Sequence, residues 1–306
     1  MRFPTTLAEF IEEFPDEDAC WRFLFRARWP RGFVCPRCRH RAAYFLAARR
    51  LMQCQMCRHQ VSVTAGTVFH RTHLPLRTWF LAIFFVGRHK QGISALQLQA
   101  DAGIRSYRAA WLLLHKIRAT LGREPGERLR GHVEADESYL GAPHEKGRRG
   151  GRAFGRKTLV GVVVERRRQI GRVRLDVLDS HGFDEIGPFV RGVVDQAQTT
   201  LHSDGLAAYV QLAQAGLEHV RIVQGQDRSQ GPRLFPWSHV IFSNLKSWLR
   251  GTFHGVSRAY LPRYLEEFSF RYNHRTRAAE LGTLVLGRAL RSEPMPLFRL
   301  RAELTA

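Results

Sequence analysis

The chain is 306 residues long and carries 48 Lys+Arg against 27 Asp+Glu, a formal net charge of +21. With 44% hydrophobic and 11% aromatic residues it has the material for packed cores, which excludes a disordered basic tail, and its length suggests about two domains. A charge excess of this size concentrates polyanions, so nucleic acid or an anionic membrane surface is the expected partner and small neutral substrates are disfavoured.

Residues 1–32 read as an N-terminal helical segment. Met1-Arg2-Phe3-Pro4 is followed by acids at Glu9, Glu12, Glu13, Asp16, Glu17 and Asp18, without the basic start and apolar stretch of a signal peptide. A membrane span needs roughly 20 apolar residues. The densest run, Trp79 to Gly87, is short and bounded by Arg77 and Arg88, so it is expected to be a core helix. A cytoplasmic protein with no membrane partner follows, and in that reducing compartment cysteines serve as metal ligands or buried apolar groups.

Four of the five cysteines form two pairs, Cys35-Pro36-Arg37-Cys38 and Cys54-Gln55-Met56-Cys57, with 15 residues between them. Each pair makes a knuckle that aims two thiolates at one ion, and two knuckles complete the tetrahedron of a structural zinc site. Short strands are expected at Ala42–Leu46 and Gln60–Val63, making residues 33–64 a zinc ribbon that serves as scaffold. His40 and His59 beside the knuckles read as surface residues, and Cys20 as a buried apolar one.

Residues 65–124 read as a helix-turn-helix segment. A helix from Leu76 to Lys90 precedes Ser94, which caps a short helix over Ala95–Ala102; Gly103 ends it, and a second helix runs through Ser106–Arg118. In a DNA-binding version, Arg105, Ser106, Tyr107 and Arg108 at the start of the second helix meet the major groove.

Pro125-Gly126 marks a boundary to residues 125–255, where the pattern becomes alternating and β-branched. Strands are expected near 132–140, 158–165 and 170–178, a helix near 184–196, a strand near 199–203 and a helix near 205–215. A strand near 219–223 and a helix near 237–250 follow. In the first strand Glu134, Asp136 and Ser138 share one face and Val133, Ala135 and Glu137 the other. Leu201-His202-Ser203-Asp204-Gly205 brings a second carboxylate to a strand end. If the two strands are neighbours, Asp136 and Asp204 lie side by side, and keeping both ionised requires a cation between them. Magnesium or manganese suits such oxygen ligands and supports phosphodiester chemistry. Lys146, Arg148, Arg149, Arg152, Arg156 and Lys157, among four glycines, form a loop expected to order on phosphates. Residues 256–306 read as a C-terminal helical segment, with Tyr264, Leu265 and Phe268 as core and Arg263 and Arg271 as candidate DNA contacts.

These motifs resemble a known family. Cys35-Pro36-Arg37-Cys38, Val133-Glu134-Ala135-Asp136-Glu137-Ser138-Tyr139-Leu140-Gly141 and His202-Ser203-Asp204-Gly205, together with the stretches Ser243–Thr252 and Tyr264–Asn273, are similar to bacterial ISXO2-like insertion-sequence transposases. The resemblance covers nearly the whole chain. It implies an α/β RNase H-like mixed-sheet catalytic domain behind a zinc ribbon and a helix-turn-helix. It also implies a metal-dependent enzyme of the aspartate-aspartate-glutamate type that works as a homo-oligomer on DNA, binding element ends and joining them to target DNA. Asp136 matches the first acidic ligand and Asp204 the second. The third acid is missing, since no Asp or Glu occurs between Asp227 and Glu266. His239 stands 35 positions after Asp204 and Lys246 seven further on, on one helical face. Helical phase therefore favours His239 as third ligand, whereas ligand hardness favours the amide oxygen of Asn244. A nuclease without strand transfer, and a zinc-ribbon regulator with a degenerate catalytic domain, are the competing functions.

Overall fold

A computed structural model describes residues 2–122, 126–141, 157–168, 170–222 and 234–302. The chain divides into two compact units, residues 1–120 together with 277–304, and residues 121–276.

The first unit opens with α1 (Leu7–Glu13) and α2 (Glu17–Arg28). Each has a side-chain cap: Glu9 N donates to Thr6 Oγ1 in a reciprocal capping box, and Ala19 N donates to Asp16 Oδ1, satisfying amides that a helix start leaves open. The ribbon follows as β1 (Ala43–Leu46), β2 (Leu51–Cys54) and β3 (Gln60–Ser62), an antiparallel sheet in sequence order. Its middle strand adds to the two expected. The apolar run becomes α3 (Leu76–Arg88), whose Trp79, Phe80, Ile83 and Phe84 are buried, and Phe3, Phe14, Phe23 and Phe80 pack ring to ring. Among the described residues no helix is long and apolar enough to cross a membrane. Helices α4 (Ala95–Asp101) and α5 (Tyr107–Arg118) are capped by Ser94 and Ser106, with Gly103 at φ 60° between them.

The second unit is built on a five-stranded sheet of β4 (Leu129–Leu140), β5 (Thr158–Arg166), β6 (Ile170–Leu178), β7 (Val194–Ser203) and β8 (Glu218–Arg221), in the order β6-β5-β4-β7-β8. The β6–β5–β4 pairings are antiparallel and the β4–β7–β8 pairings parallel. Helices α6 (Phe183–Val193) and α7 (Ala207–Gln214) connect the later strands, and α8 (Pro236–Phe253) and α9 (Leu261–Asn273) follow. One face of the sheet packs on α6 and α7 through Val133, Val163, Ile186 and Leu212. The other packs on α8 and α9 through Val160, Val162, Ile241, Leu245 and Leu265. β5 is buried along nearly its whole length, which is why its sequence, Thr158-Leu-Val-Gly-Val-Val-Val, is a continuous apolar run.

The C-terminal segment does not stay together. Residues up to 276 close the second unit, whereas α10 (Leu281–Arg291) and α11 (Leu297–Ala302) belong to the first. Glycine explains the return: a Cβ on Gly87 of α3 would lie 2.7 Å from the Gly282 backbone of α10. Only a residue without a side chain at 87 allows so close an approach, and a Cβ on Gly282 would press on the Phe3 ring at 2.9 Å. Phe3 N then donates to Thr283 Oγ1 at 2.9 Å, tying the chain's beginning to its end.

Candidate active site

The parallel pairing of β4 with β7 sets Glu134 opposite His202. Two residues further along, Asp136 within β4 and Asp204 just past the end of β7 therefore lie next to each other where the β4–β7 pairing stops. These are central strands where the connections reverse direction, the place where open α/β sheets bind ligands. Asp136 Oδ1 accepts from Glu137 N at 2.9 Å and Oδ2 from Ser238 Oγ at 3.0 Å. Asp204 Oδ1 accepts from Leu206 N at 2.9 Å. Burial raises the proton affinity of Asp136, and the charge of Asp204 raises it further, while Ser238 and His239 act the other way. Glu137 points to the opposite face, where Tyr209 OH donates to it; burial first, and the two aspartates after it, push its carboxyl up to about 7.

Helix α8 is fixed to this strand by its first turn. Its N-cap residue is Phe235, which has no side chain able to cap. The fully buried Glu134 supplies the missing acceptor: Trp237 N and Ser238 N donate to Oε2 at 3.1 and 3.0 Å, and Arg166 Nε lies 3.4 Å from Oε1. The carboxylate also sits at the positive end of the helix dipole. Sequence reading places Glu134 on the face of Asp136 without giving it a role, and it passes over Ser238. Pro236 at the first helical position is the signal that the turn at 235–238 begins a helix.

His239 is exposed and in electrostatic contact with Asp136. Lys246 Nζ, two turns on, donates to Ser138 Oγ at 2.9 Å. Both thus lie on the side of α8 that faces β4, as their seven-residue spacing implies. Asn244 is exposed, and no described contact joins it to the carboxylates. Arg105, Ser106, Tyr107 and Arg108 are all exposed at the start of α5. Lys146, Arg148, Arg149, Arg152 and Arg156 lie outside the described residues, and Lys157 is exposed. Arg263 and Tyr264 are buried in α9, where Arg271 Nε bonds Glu267 Oε1 at 2.8 Å, so neither arginine offers a free DNA-facing cation.

The ribbon brings together a candidate metal-binding quartet. The Sγ atoms of Cys35, Cys38, Cys54 and Cys57 all lie within 4.8 Å of one another, with Cys35–Cys57 at 3.6 Å and Cys38–Cys54 at 3.5 Å. A tetrahedron with metal–sulfur bonds of about 2.3 Å has edges of about 3.8 Å, so the quartet fits zinc. Cys20 is fully buried and its thiol pushed up to about 12 by desolvation, as befits an inert core residue. Among the described residues no other set of three His, Cys, Asp or Glu ligand atoms converges as closely. Beside β4 and β7 the fit to magnesium or manganese rests instead on chemistry: two carboxylates offer hard oxygen ligands, and burial and the neighbouring Asp204 charge oppose the ionisation of Asp136.

Sheet order, helices on both faces and the neighbouring carboxylates define an RNase H-like α/β domain, here with a zinc ribbon and a helix-turn-helix before it. Residues 128–273 match the ISXO2-like transposase domain, and residues 15–60 match the transposase zinc-ribbon domain. The chain thus carries a region similar to the ISXO2-like transposase domain and, ahead of it, one similar to the transposase zinc ribbon. It is also similar to an uncharacterized protein in transposable element ISH50 of Halobacterium salinarum, with 31% identity over 136 residues, covering 43% of this chain and 45% of that protein. The chain thus spans less than half the length of that relative.

Proposed function

We propose that this chain is a DNA transposase that binds insertion-sequence ends and catalyses metal-dependent strand cleavage and strand transfer, acting as a homo-oligomer on DNA in the bacterial nucleoid. The observation that carries the reading is the pair Asp136 and Asp204 on adjacent parallel strands, the charge of Asp204 adding to the burial that raises the proton affinity of Asp136. A divalent magnesium or manganese ion held there would activate the attacking oxygen and stabilise the leaving oxygen of a phosphodiester. Ser238 and the backbone N–H of Glu137 hold the Asp136 carboxylate in orientation, and the Leu206 N–H holds Asp204. His239 completes the ligand set, directly or through water. Lys246, exposed beside Ser138, holds a phosphate oxygen. Arg105 and Arg108 read the element end, and the basic loop from Lys146 through Arg148, Arg149, Arg152 and Arg156 to Lys157 holds DNA backbone irrespective of sequence.

The test is incubation of the purified protein with a labelled element end, target plasmid and magnesium or manganese. Joined products support the proposal; cuts alone mean a nuclease, and shifted but intact DNA means a regulator. The same assay decides the third ligand. His239→Ala is expected to abolish cutting while Asn244→Ala cuts normally, and the reverse pattern assigns the role to Asn244.

A further inference from the structure

The two zinc knuckles are copies of each other beyond their cysteines. Cys35-Pro36-Arg37-Cys38-Arg39-His40 and Cys54-Gln55-Met56-Cys57-Arg58-His59 both read Cys-x-x-Cys-Arg-His, and their backbones close in the same way. Cys35 N donates to His40 O at 2.9 Å and Arg39 N to Cys35 O at 3.0 Å; Cys54 N donates to His59 O at 2.9 Å and Arg58 N to Cys54 O at 3.1 Å. This closure forces the residue after the second cysteine into the left-handed region, with Arg39 at φ 65° and Arg58 at φ 58°. Glycine takes that conformation without strain, and Asn or Asp tolerates it best among the other residues. Arginine is an unfavourable choice there; it takes this region at Arg50 and Arg71 as well, but the knuckles place it at equivalent positions.

Both arginines are exposed, and among the described residues neither guanidinium meets a carboxylate. The whole neighbourhood lacks acids. From residue 19 to residue 100 there is no Asp or Glu, and residues 33–64 alone hold six arginines. Of those six, Arg50 is engaged by an acid, Asp18, at 2.7 Å. Strained backbone kept at a matched pair of free cations points to a use for the cations, since the fold itself would be better served by glycine. The competing structural use is charge balance, because four thiolates around one divalent ion leave two negative charges that nearby arginines would offset.

We infer that Arg39 and Arg58 form a paired phosphate clamp by which the ribbon grips the backbone of duplex DNA, the zinc cluster fixing the spacing of the two arms. The ribbon is then a DNA-contacting surface as well as a scaffold, and a sequence-independent one, because guanidinium–phosphate contacts position without reading bases. The inference rests on the reading that the chain acts on DNA.

The test uses the full-length, zinc-loaded protein and a short labelled duplex of arbitrary sequence, titrated over a range of salt concentrations. In the double variant Arg39→Gly, Arg58→Gly the slope of log affinity against log salt is expected to flatten by about 1.8, because each phosphate that an arginine ceases to neutralise removes about 0.9. Zinc stoichiometry should stay at the wild-type value and the melting temperature should hold or rise. Arg39→Lys with Arg58→Lys should restore most of the slope. Should the glycine variant lose its zinc, Arg39→Asn with Arg58→Asn, neutral and tolerant of the same backbone, decides by the same slope. An unchanged slope in a zinc-loaded neutral variant overturns the clamp, as does a rise in chelator sensitivity with DNA binding intact, which would give the arginines the structural role. Failure of the wild-type protein to bind any duplex would overturn the DNA reading itself, a result distinct from wild-type binding that the variants share.

Discussion

Replacing Glu134 separates holding the active site from doing its chemistry. The carboxylate is fully buried and accepts two backbone N–H groups of α8, at 3.1 and 3.0 Å, where Phe235 cannot cap. Each hydrogen bond to a charged group contributes about 1.5–3 kcal/mol, and a buried donor left without a partner loses its full solvation. Because the two bonds share one carboxylate, their losses do not simply add, and about 3 kcal/mol is the expected cost of Glu134→Ala to the first turns of α8. That corresponds to roughly a hundredfold increase in local opening. Glu134→Gln keeps an oxygen in place and gives up only charge, so about 1 kcal/mol and roughly a fivefold increase are expected. Hydrogen exchange followed in peptides covering residues 234–253 measures both. DNA cleavage should fall in the same order, alanine far more than glutamine, because His239 and Lys246 ride on this helix. Wild-type exchange in the Glu134→Ala helix would refute the capping argument. Wild-type exchange with lost cleavage would show Glu134 to be part of the chemistry.

Asp136→Asn and Asp204→Asn should each reduce cleavage to a few percent or less while DNA affinity stays near wild type, since the amide keeps the shape and gives up the charge that holds a divalent ion; gel shift and cleavage on the same samples check this. Removing zinc with a strong chelator, or substituting Cys35→Ser, should unfold residues 33–64, because metal-binding energy is folding energy in so small a module, and metal analysis with exchange over those residues reads it. Burial would raise the pKa of Glu165, but its bonds to Arg172 and the charge of Arg167 outweigh that and leave it lowered. Its stabilising contribution is therefore complete above the ordinary glutamate range and disappears as pH falls through its lowered value. Urea unfolding from neutral to acid pH should show that acid limb flatten in Glu165→Gln, and Glu165→Ala should cost about 1–3 kcal/mol at neutral pH, since the partners Arg167 and Arg172 are partly exposed and regain water.

The order of elements in the second unit was legible because each signal was local. β5 is a run of Val and Leu, β6 alternates Val and Leu with charged residues, and the Asp-Gly pair at 204–205 marks where β7 stops. Their adjacency followed only on condition that β4 and β7 pair, and the register with Glu134 opposite His202 meets it. Signals failed where non-local contacts overrode local ones. Strand β7 begins at Val194, within a stretch that reads as helix through residue 196, because Val194 pairs with Leu129 before a bulge brings Thr199 opposite Gly131. Strand β2 of the ribbon, Leu51–Cys54, is too short to announce itself, and its last residue is a metal ligand. The return of α10 to the first unit depends on Gly87 meeting Gly282, a match that no window of the sequence contains.

Three acids within four positions of β4 show why composition alone could not assign the site. Glu134, Asp136 and Glu137 are chemically alike, and the strand's alternation separates them at once: the first two face α8, and the third faces α7. Neighbours then divide the first two. Glu134 lies under the start of α8, where two amides occupy its Oε2 and Arg166 faces its Oε1 at 3.4 Å, so the carboxylate is tied to the start of the helix. Asp136, one pleat nearer the strand end, is held by single bonds to each oxygen and stands beside a second carboxylate that resists its ionisation. On the far face, Glu137 meets Tyr209 and is pushed up to about 7 by burial first and the two aspartates after it. The middle acid is thus the one of the three that stands between the first turn of α8, through Ser238, and the charge of Asp204, which is why the proposed metal site is drawn there.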